Sequence, residues 1–340
     1  MTLLSYEIFY TVAQEKSFQK AAKILNMTPS AISHSISSME KELGFALFIR
    51  SKSGTVLTSN GEAIYPHILE ILNSNEYLLQ SVAQLNGLQK GTIKVGCFNS
   101  VCTAWMPAIM SAFREKFPEI TVKVFQGTYT DVEEWLKNGT IDVGFLSESC
   151  ASDFIYTPIY KDQLLCLTPK DFPVKNPNYI SVNELENQAF VFQRAACDSD
   201  VQAFLDKYHI SIKTNHHVID DQSTFALIEA GMGIGIMPEI LVKKMSSNIN
   251  SYALNPAEYR TICLATTHSH IMSPAVNGFI KFVSNMNTEK LLRKEPTCVN
   301  DKAYGSKELC VTDTESITAR NPMHDELEKK YSLSKIASGT

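Results

Sequence analysis

Ser17-Phe18-Gln19-Lys20-Ala21-Ala22, continuing through to Leu57-Thr58-Ser59-Asn60-Gly61, is the stretch that decides the fold of the amino-terminal region. Ser17 is a natural N-cap for a helix whose inward face carries Phe18, Ala21, Ala22 and Leu25 at helical spacing. That helix stops near Asn26-Met27. Thr28 caps a second helix with Pro29 at its first position, where a missing N–H costs nothing. Ile32, Ile36, Met39 and Leu43 step by four, three and four, so they form a buried stripe and leave Ser30, Ser33, His34 and Ser37 on the other face. Gly44 ends the helix, and Leu47-Phe48-Ile49-Arg50 and Thr55-Val56-Leu57-Thr58 can pair as a hairpin around Ser51-Lys52-Ser53-Gly54. A helix-turn-helix with such a wing is suited to the major groove of double-stranded DNA. Thr28, Pro29, Ser30, Ser33, His34 and Ser37 are the candidate contacts on the helix, and Arg50 and Lys52 those in the wing. For Arg50 an ion pair with Glu42 is the rival reading. Leu4, Ile8 and Val12 of a preceding helix would complete the small core.

Several fragments then fall together. Phe18-x-x-Ala21-Ala22-x-x-Leu25, Ser30-Ala31-Ile32-Ser33, Leu43-Gly44-x-x-Leu47-Phe48-x-Arg50 and Leu57-Thr58-x-x-Gly61 jointly resemble the LysR-type transcriptional regulators. The resemblance extends to about residue 285. It implies an α/β protein with a winged helix-turn-helix at 1–60, a long linker helix at 61–88 and a two-lobed, periplasmic-binding-protein-like effector domain at 91–286. Lobe I would comprise 91–160 and 268–286, and lobe II 164–266. The sequence departs from the family's pattern at Ser35, Ser37 and Ser38, where relatives often place basic or amide side chains.

A chain of 340 residues has room for two or three domains, and its 44% hydrophobic and 20% charged content is that of a globular protein. The net charge of −5 excludes a nonspecific polycation. Any DNA contact must be local, and residues 1–60 carry six Lys or Arg against four Glu, an excess of the right sign. No apolar run approaches the roughly 20 residues that span a bilayer, and Met1-Thr2-Leu3-Leu4-Ser5-Tyr6-Glu7 lacks the features of a signal peptide, so a cytoplasmic chain is expected. The eight cysteines show no CxxC pair or zinc-ligand spacing and read as buried, reduced thiols. No metal or cofactor is implied.

Between Glu62 and Leu88, the residues Ile64, Ile68, Ile71, Asn75, Leu78, Val82 and Leu85 recur at alternating steps of four and three. This is a heptad seam with one polar member, which must be buried against something. The resemblance implies pairing with a second subunit, in a homodimer or homotetramer; packing against its own chain is the rival. From Gly91 the pattern alternates strand and helix: strands at 92–96, 120–124 and 141–145, helices at 104–116 and 131–138, then a second such unit through Ile262–Thr266 and a closing helix at Ala275–Val283. By resemblance the chain crosses between lobes near Tyr160-Lys161-Asp162-Gln163 and Thr266-Thr267-His268.

Ligands in open α/β sheets lie beyond the carboxyl ends of strands. Loops so placed supply Asn99, Ser100, Thr128, Ser147, Arg194 and Asp220 as candidate effector-binding residues. Ser100 and Thr128 match positions where family members hydrogen-bond small-molecule effectors, but either residue could equally be a helix cap. Arg194 could grip a carboxylate effector in a bidentate pair or form an internal salt bridge to Asp198 or Asp200. Gly231-x-Gly233-x-Gly235 follows a helix rather than opening one, so it reads as a helix stop and a tightly packed strand, not a nucleotide loop.

An enzyme is disfavoured: His216-His217 and His268-x-His270 lack a nucleophile elbow, and Gly96-x-x-x-Ser100 is not one. A redox sensor built on Cys197 is disfavoured by Asp198 and Asp200, which raise a thiol's pKa, and by Asp206 where a resolving cysteine would stand. Residues 287–340 fall outside the resemblance. Their nine Lys or Arg match nine Asp or Glu, and a short helix over 324–336 is the one ordered element expected there.

Overall fold

Capping and apolar spacing place the helices of the head where the sequence predicts them. In a computed structural model, which describes residues 1–51, 54–87, 89–193, 199–218, 220–243, 248–267 and 272–286, the head comprises α1 (Leu3–Glu15), α2 (Phe18–Ile24), α3 (Pro29–Leu43), β1 (Phe48–Ser51) and β2 (Gly54–Leu57). The hydroxyls of Ser17 and Thr28 accept the N–H groups of Lys20 and Ala31 at the starts of α2 and α3. Gly44, in the left-handed region at φ +82°, ends α3. Ile8, Phe9, Val12, Ala21, Ala22, Ile32, Ile36 and Met39 are buried together, whereas Leu4 is exposed and does not join them as expected. Leu4 lies in the first turn of α1, one helical turn short of the core-facing Ile8. Lys52 lies outside the described residues.

The linker α4 (Ser59–Leu85) starts directly from the wing, capped by Thr58. A Cβ on Gly61 would stand 2.4 Å from the Leu47 carbonyl oxygen, so only glycine lets α4 cross the wing this closely. The seam does not stay on one surface. Ile68, 4% exposed, is part of the head's own core, with Ile64 packed against it, which corrects their assignment to an intersubunit seam. Ile71, Leu78, Val82 and Leu85 remain exposed, and Asn75 is half-buried. Another face of α4 is tied to the carboxy-terminal body: Asn73 donates to the Gly139 carbonyl at 2.9 Å, Tyr77 to Asp142 at 2.9 Å and Gln80 to the Thr92 carbonyl at 3.0 Å.

The body opens with β3 (Gly91–Cys97), α5 (Asn99–Ala104), α6 (Met106–Lys116), β4 (Ile120–Gln126), α7 (Tyr129–Lys137) and β5 (Val143–Ser147). It continues with β6 (Ile155–Pro169), β7 (Tyr179–Ser181), β8 (Ala189–Gln193), α8 (Ser199–Lys207), β9 (Lys213–Val218) and α9 (Asp221–Glu229), and ends with β10 (Gly235–Pro238), α10 (Glu239–Val242), β11 (Ile249–Asn255), β12 (Tyr259–Thr266) and α11 (Pro274–Ser284). In lobe I, β3 lies parallel to β4 and β5, and β12 runs antiparallel between β5 and β6. The carboxy-terminal half of β6 pairs instead with β10 and β11, which carries that strand into lobe II. In lobe II, β8 and β9 form a separate parallel pair.

This topology corrects the expected boundary. Residues 259–266 belong to lobe I, because Ile262 and Leu264 are buried in its core and β12 pairs with β5. The second crossing therefore precedes β12, near residues 256–258, rather than at Thr266-Thr267-His268; His268 lies outside the described residues. Gly233, at φ +155°, would bring a Cβ within 2.5 Å of the Ala189 carbonyl oxygen, which is the close packing the glycine run implied. Among the described residues no helix is long and apolar enough to cross a membrane.

Candidate functional site

On the head, Thr28, Pro29, Ser30, His34 and Ser37 are exposed along α3, and Ser33 is half-buried beneath the wing. The Ser33 hydroxyl accepts a hydrogen bond from the Arg50 guanidinium at 2.9 Å, and that guanidinium lies 4.1 Å from the centre of the Phe18 ring. Arg50 thus braces the wing against both helices of the motif, and its planar cation is held at the surface beside α3. The rival partner is engaged elsewhere: Glu42 takes the amino-terminal ammonium at 2.8 Å. Glu40 accepts the Leu47 and Phe48 N–H groups at 2.7 and 3.3 Å, which fixes where β1 leaves the helix.

In the body, a cavity of about 320 Å³ opens where the lobes meet. Lobe I supplies Asn99, Ser100, Gln126, Thr128 and Asp131, and lobe II supplies Gln193, Asp220, Asp221 and Leu241. The polar side chains are linked in a row that crosses between lobes at Asn99 and Asp221. Asn99 donates to Asp221, Gln126 to Asn99 at 2.7 Å, and Gln193 to Asp221 at 2.6 Å. A larger recess of about 640 Å³ lies between α4 and α11, walled by Gln80, Phe117 and Lys281. None of its lining residues comes from lobe II, so a ligand there could not sense the distance between the lobes.

The sequence-predicted effector residues divide by role. Thr128 lines the cavity, yet its hydroxyl caps α7, accepting the Asp131 N–H at 3.2 Å and donating to the Asp131 carboxylate at 2.7 Å. Asp220 likewise caps α9, and the N–H and hydroxyl of Ser223 hold its carboxyl below the ordinary range. Ser147 is buried behind the cavity wall and donates to Asp200 at 2.7 Å. Arg194 and Cys197 lie outside the described residues. Of Arg194's two rival partners, Asp198 also lies outside the described residues, and Asp200 accepts hydroxyls from lobe I.

One buried cation escaped the sequence reading. Arg260, at the start of β12, donates to Asp162 of β6 at 3.0 and 2.8 Å, to Ser100 at 2.8 Å and to the Tyr129 hydroxyl at 2.8 Å. Asp162 also accepts the Ile240 N–H at 3.1 Å, and burial raises its carboxyl above the usual value although Arg260 pulls it back. The pair stands where both chain segments cross between lobes. The available signal was two opposite charges at the edges of apolar runs, Asp162 before Leu164-Leu165 and Arg260 before Ile262-Cys263. Cys97, Cys166 and Cys263 are buried as the sequence implied, and burial pushes the Cys166 and Cys263 thiols up to about 12, whereas Cys102 and Cys150 are only half-buried.

Comparison with known proteins matches residues 3–62 to the family described as bacterial regulatory helix-turn-helix protein, lysR family, and residues 86–287 to the LysR substrate binding domain. The HTH-type transcriptional regulator YvbU of Bacillus subtilis (strain 168) is 30% identical over 293 residues, covering 84% of this chain and 99% of its own. The transcriptional dual regulator GltC of the same organism is 25% identical over 83% of this chain and 96% of its own. Among solved structures, a full-length OxyR variant from Pseudomonas aeruginosa superposes with a TM-score of 0.68 at 20% identity, over 87% of this chain and 98% of that one. The effector-binding domain of QuiR in complex with shikimate does so at 0.52 and 22%, over 59% and 98%.

Proposed function

Since this chain belongs to the LysR family of DNA-binding transcriptional regulators, we propose that it reads its operator through Ser30, Ser33, His34 and Ser37 and responds to a small molecule held between its two lobes. Thr28 and Pro29 set the helix start against the DNA backbone, and Arg50 with Lys52 meets phosphates beside the groove. Two subunits pair through the exposed part of the linker stripe, Ile71, Leu78, Val82 and Leu85, with Asn75 fixing the register. Such a regulator works where the chromosome is, in the cytoplasm.

The observation that carries the effector reading is the interlobe cavity, because its polar lining comes from both lobes. A ligand shifts a two-state equilibrium only by its differential affinity for the two states, and contacts to both lobes are what distinguish closed from open. Shikimate in the related QuiR domain is a small, polar metabolite, and a molecule of that size suits this cavity. A melting-temperature screen of the full chain against small acids, amino acids and sugars tests the reading. A ligand at a hundred times its dissociation constant stabilises by about 2.7 kcal/mol. Gln193→Leu, which removes a cavity amide from lobe II, should abolish the shift given by any hit; an unchanged shift would place the ligand elsewhere.

A further inference from the structure

Asp200 sits in the first turn of α8 in lobe II, is 9% exposed, and its carboxylate is seated in lobe I. One oxygen accepts the hydroxyls of Ser147 at 2.7 Å and Ser149 at 2.8 Å, and the other accepts the Tyr129 hydroxyl at 3.0 Å. The Tyr129 oxygen itself accepts an N–H of Arg260 at 2.8 Å, which polarises its O–H toward Asp200. All three donors belong to lobe I, and the acid they hold comes from lobe II. Tyr129 directly follows the cavity residue Thr128, and the same guanidinium holds the cavity residue Ser100.

We propose that Tyr129, Ser147 and Ser149 form a carboxylate receptor on lobe I which Asp200 occupies as an internal ligand, and that the effector is a small carboxylic acid that takes its place. The donor set fits a carboxylate: three hydroxyls serve two oxygens, and Asp162 balances the charge of the Arg260 behind them. A phosphate would bring further oxygens and charge, beyond the three hydroxyls that hold the carboxylate among the described residues. Displacement needs no bond to break. Asp200 leaves for solvent as the incoming carboxylate enters, so one negative charge replaces another. The identity of the displacing ligand as an effector rests on the proposed interlobe response; the receptor itself does not.

The test is chemical rescue in the full-length chain. Asp200→Ala should lower the melting temperature, and sodium formate should raise it again by about 2–4 °C in a saturable way, beyond sodium chloride at equal ionic strength. Wild type, with its nest filled, should respond to formate no more than to chloride. A purely structural Asp200 would give the loss without the rescue, and that outcome, or equal responses in both proteins, overturns the receptor. Should Asp200→Ala not fold, Ser149→Ala removes one donor at an exposed residue; amide exchange across 199–207 should then quicken at least threefold while α6 is unchanged, and unaltered exchange overturns the proposal. Formate needs neither operator nor effector. Failure of rescue therefore refutes the receptor alone, while rescue without any acid that alters DNA binding refutes the interlobe response alone.

Discussion

Arg50 shows how one side chain can be read correctly for its place and incompletely for its contacts. Its position in the wing was legible from Leu47-Phe48-Ile49-Arg50, but the Ser33 hydroxyl and Phe18 ring that hold it come from other elements. Arg50→Ala should weaken binding to every DNA sequence and lower the salt-dependence slope by about one unit, measured by anisotropy titration at several salt concentrations. Arg50→Lys should keep the slope yet lose affinity, because an ammonium neither stacks nor forks. Ser33 also orients Arg50, so His34 gives the cleaner test of base reading. His34→Ala should cost about 1–3 kcal/mol on the operator and little on random duplex; equal losses on both would remove it from the reading set. In the body, capping was legible at Thr128, whereas the Asp162–Arg260 pair was not, since its members lie far apart in sequence and meet only through β6–β12 pairing. Asp162→Ala leaves a buried guanidinium uncompensated and should destabilise by about 3–5 kcal/mol in denaturant unfolding, with the double change Asp162→Leu/Arg260→Met costing less.

At the scale of elements, periodicity fixed helices and left their partners open. The linker's alternating steps were read as one seam, but a helix that packs on its own head uses the same spacing. Ile64 and Ile68 are drawn into the head's core, while Leu78, at 61% exposure, and Val82 stay at the surface. Leu78→Glu with Val82→Glu should therefore separate subunits in sedimentation experiments and leave the circular dichroism of the monomer intact. Ile68→Glu should instead unfold the head, as a charge buried without a partner does. The strand β11 escaped the sequence reading because Ile249-Asn250-Ser251-Tyr252-Ala253-Leu254-Asn255 is too polar to announce itself, and its burial comes from pairing with β6 and β7. In lobe I, by contrast, the succession β3, α6, β4, α7 and β5 was legible, whereas α5 and the first half of β6 were not.

For the whole molecule, the parts form a mechanical chain. The interlobe cavity is bounded by residues hydrogen-bonded across it, the crossing strands carry a buried ion pair, and lobe I is fastened to α4 through Asn73, Tyr77 and Gln80. A change in the angle between lobes would thus swing lobe II relative to lobe I and to the linker fastened to it, whose other end is continuous with the DNA-binding head. In the proposed dimer, two heads would need half-sites separated by whole helical turns, so a small rotation should redistribute contacts rather than abolish them. The decisive measurement is a nuclease footprint on the native operator, taken with and without an acid that raises the melting temperature of the full chain. The expected result is protection of two half-sites in both states, with the outer boundary or the bend-sensitive cleavage between them altered by saturating acid and unaltered in Gln193→Leu. A footprint unchanged by saturating acid would contradict control of DNA binding from between the lobes.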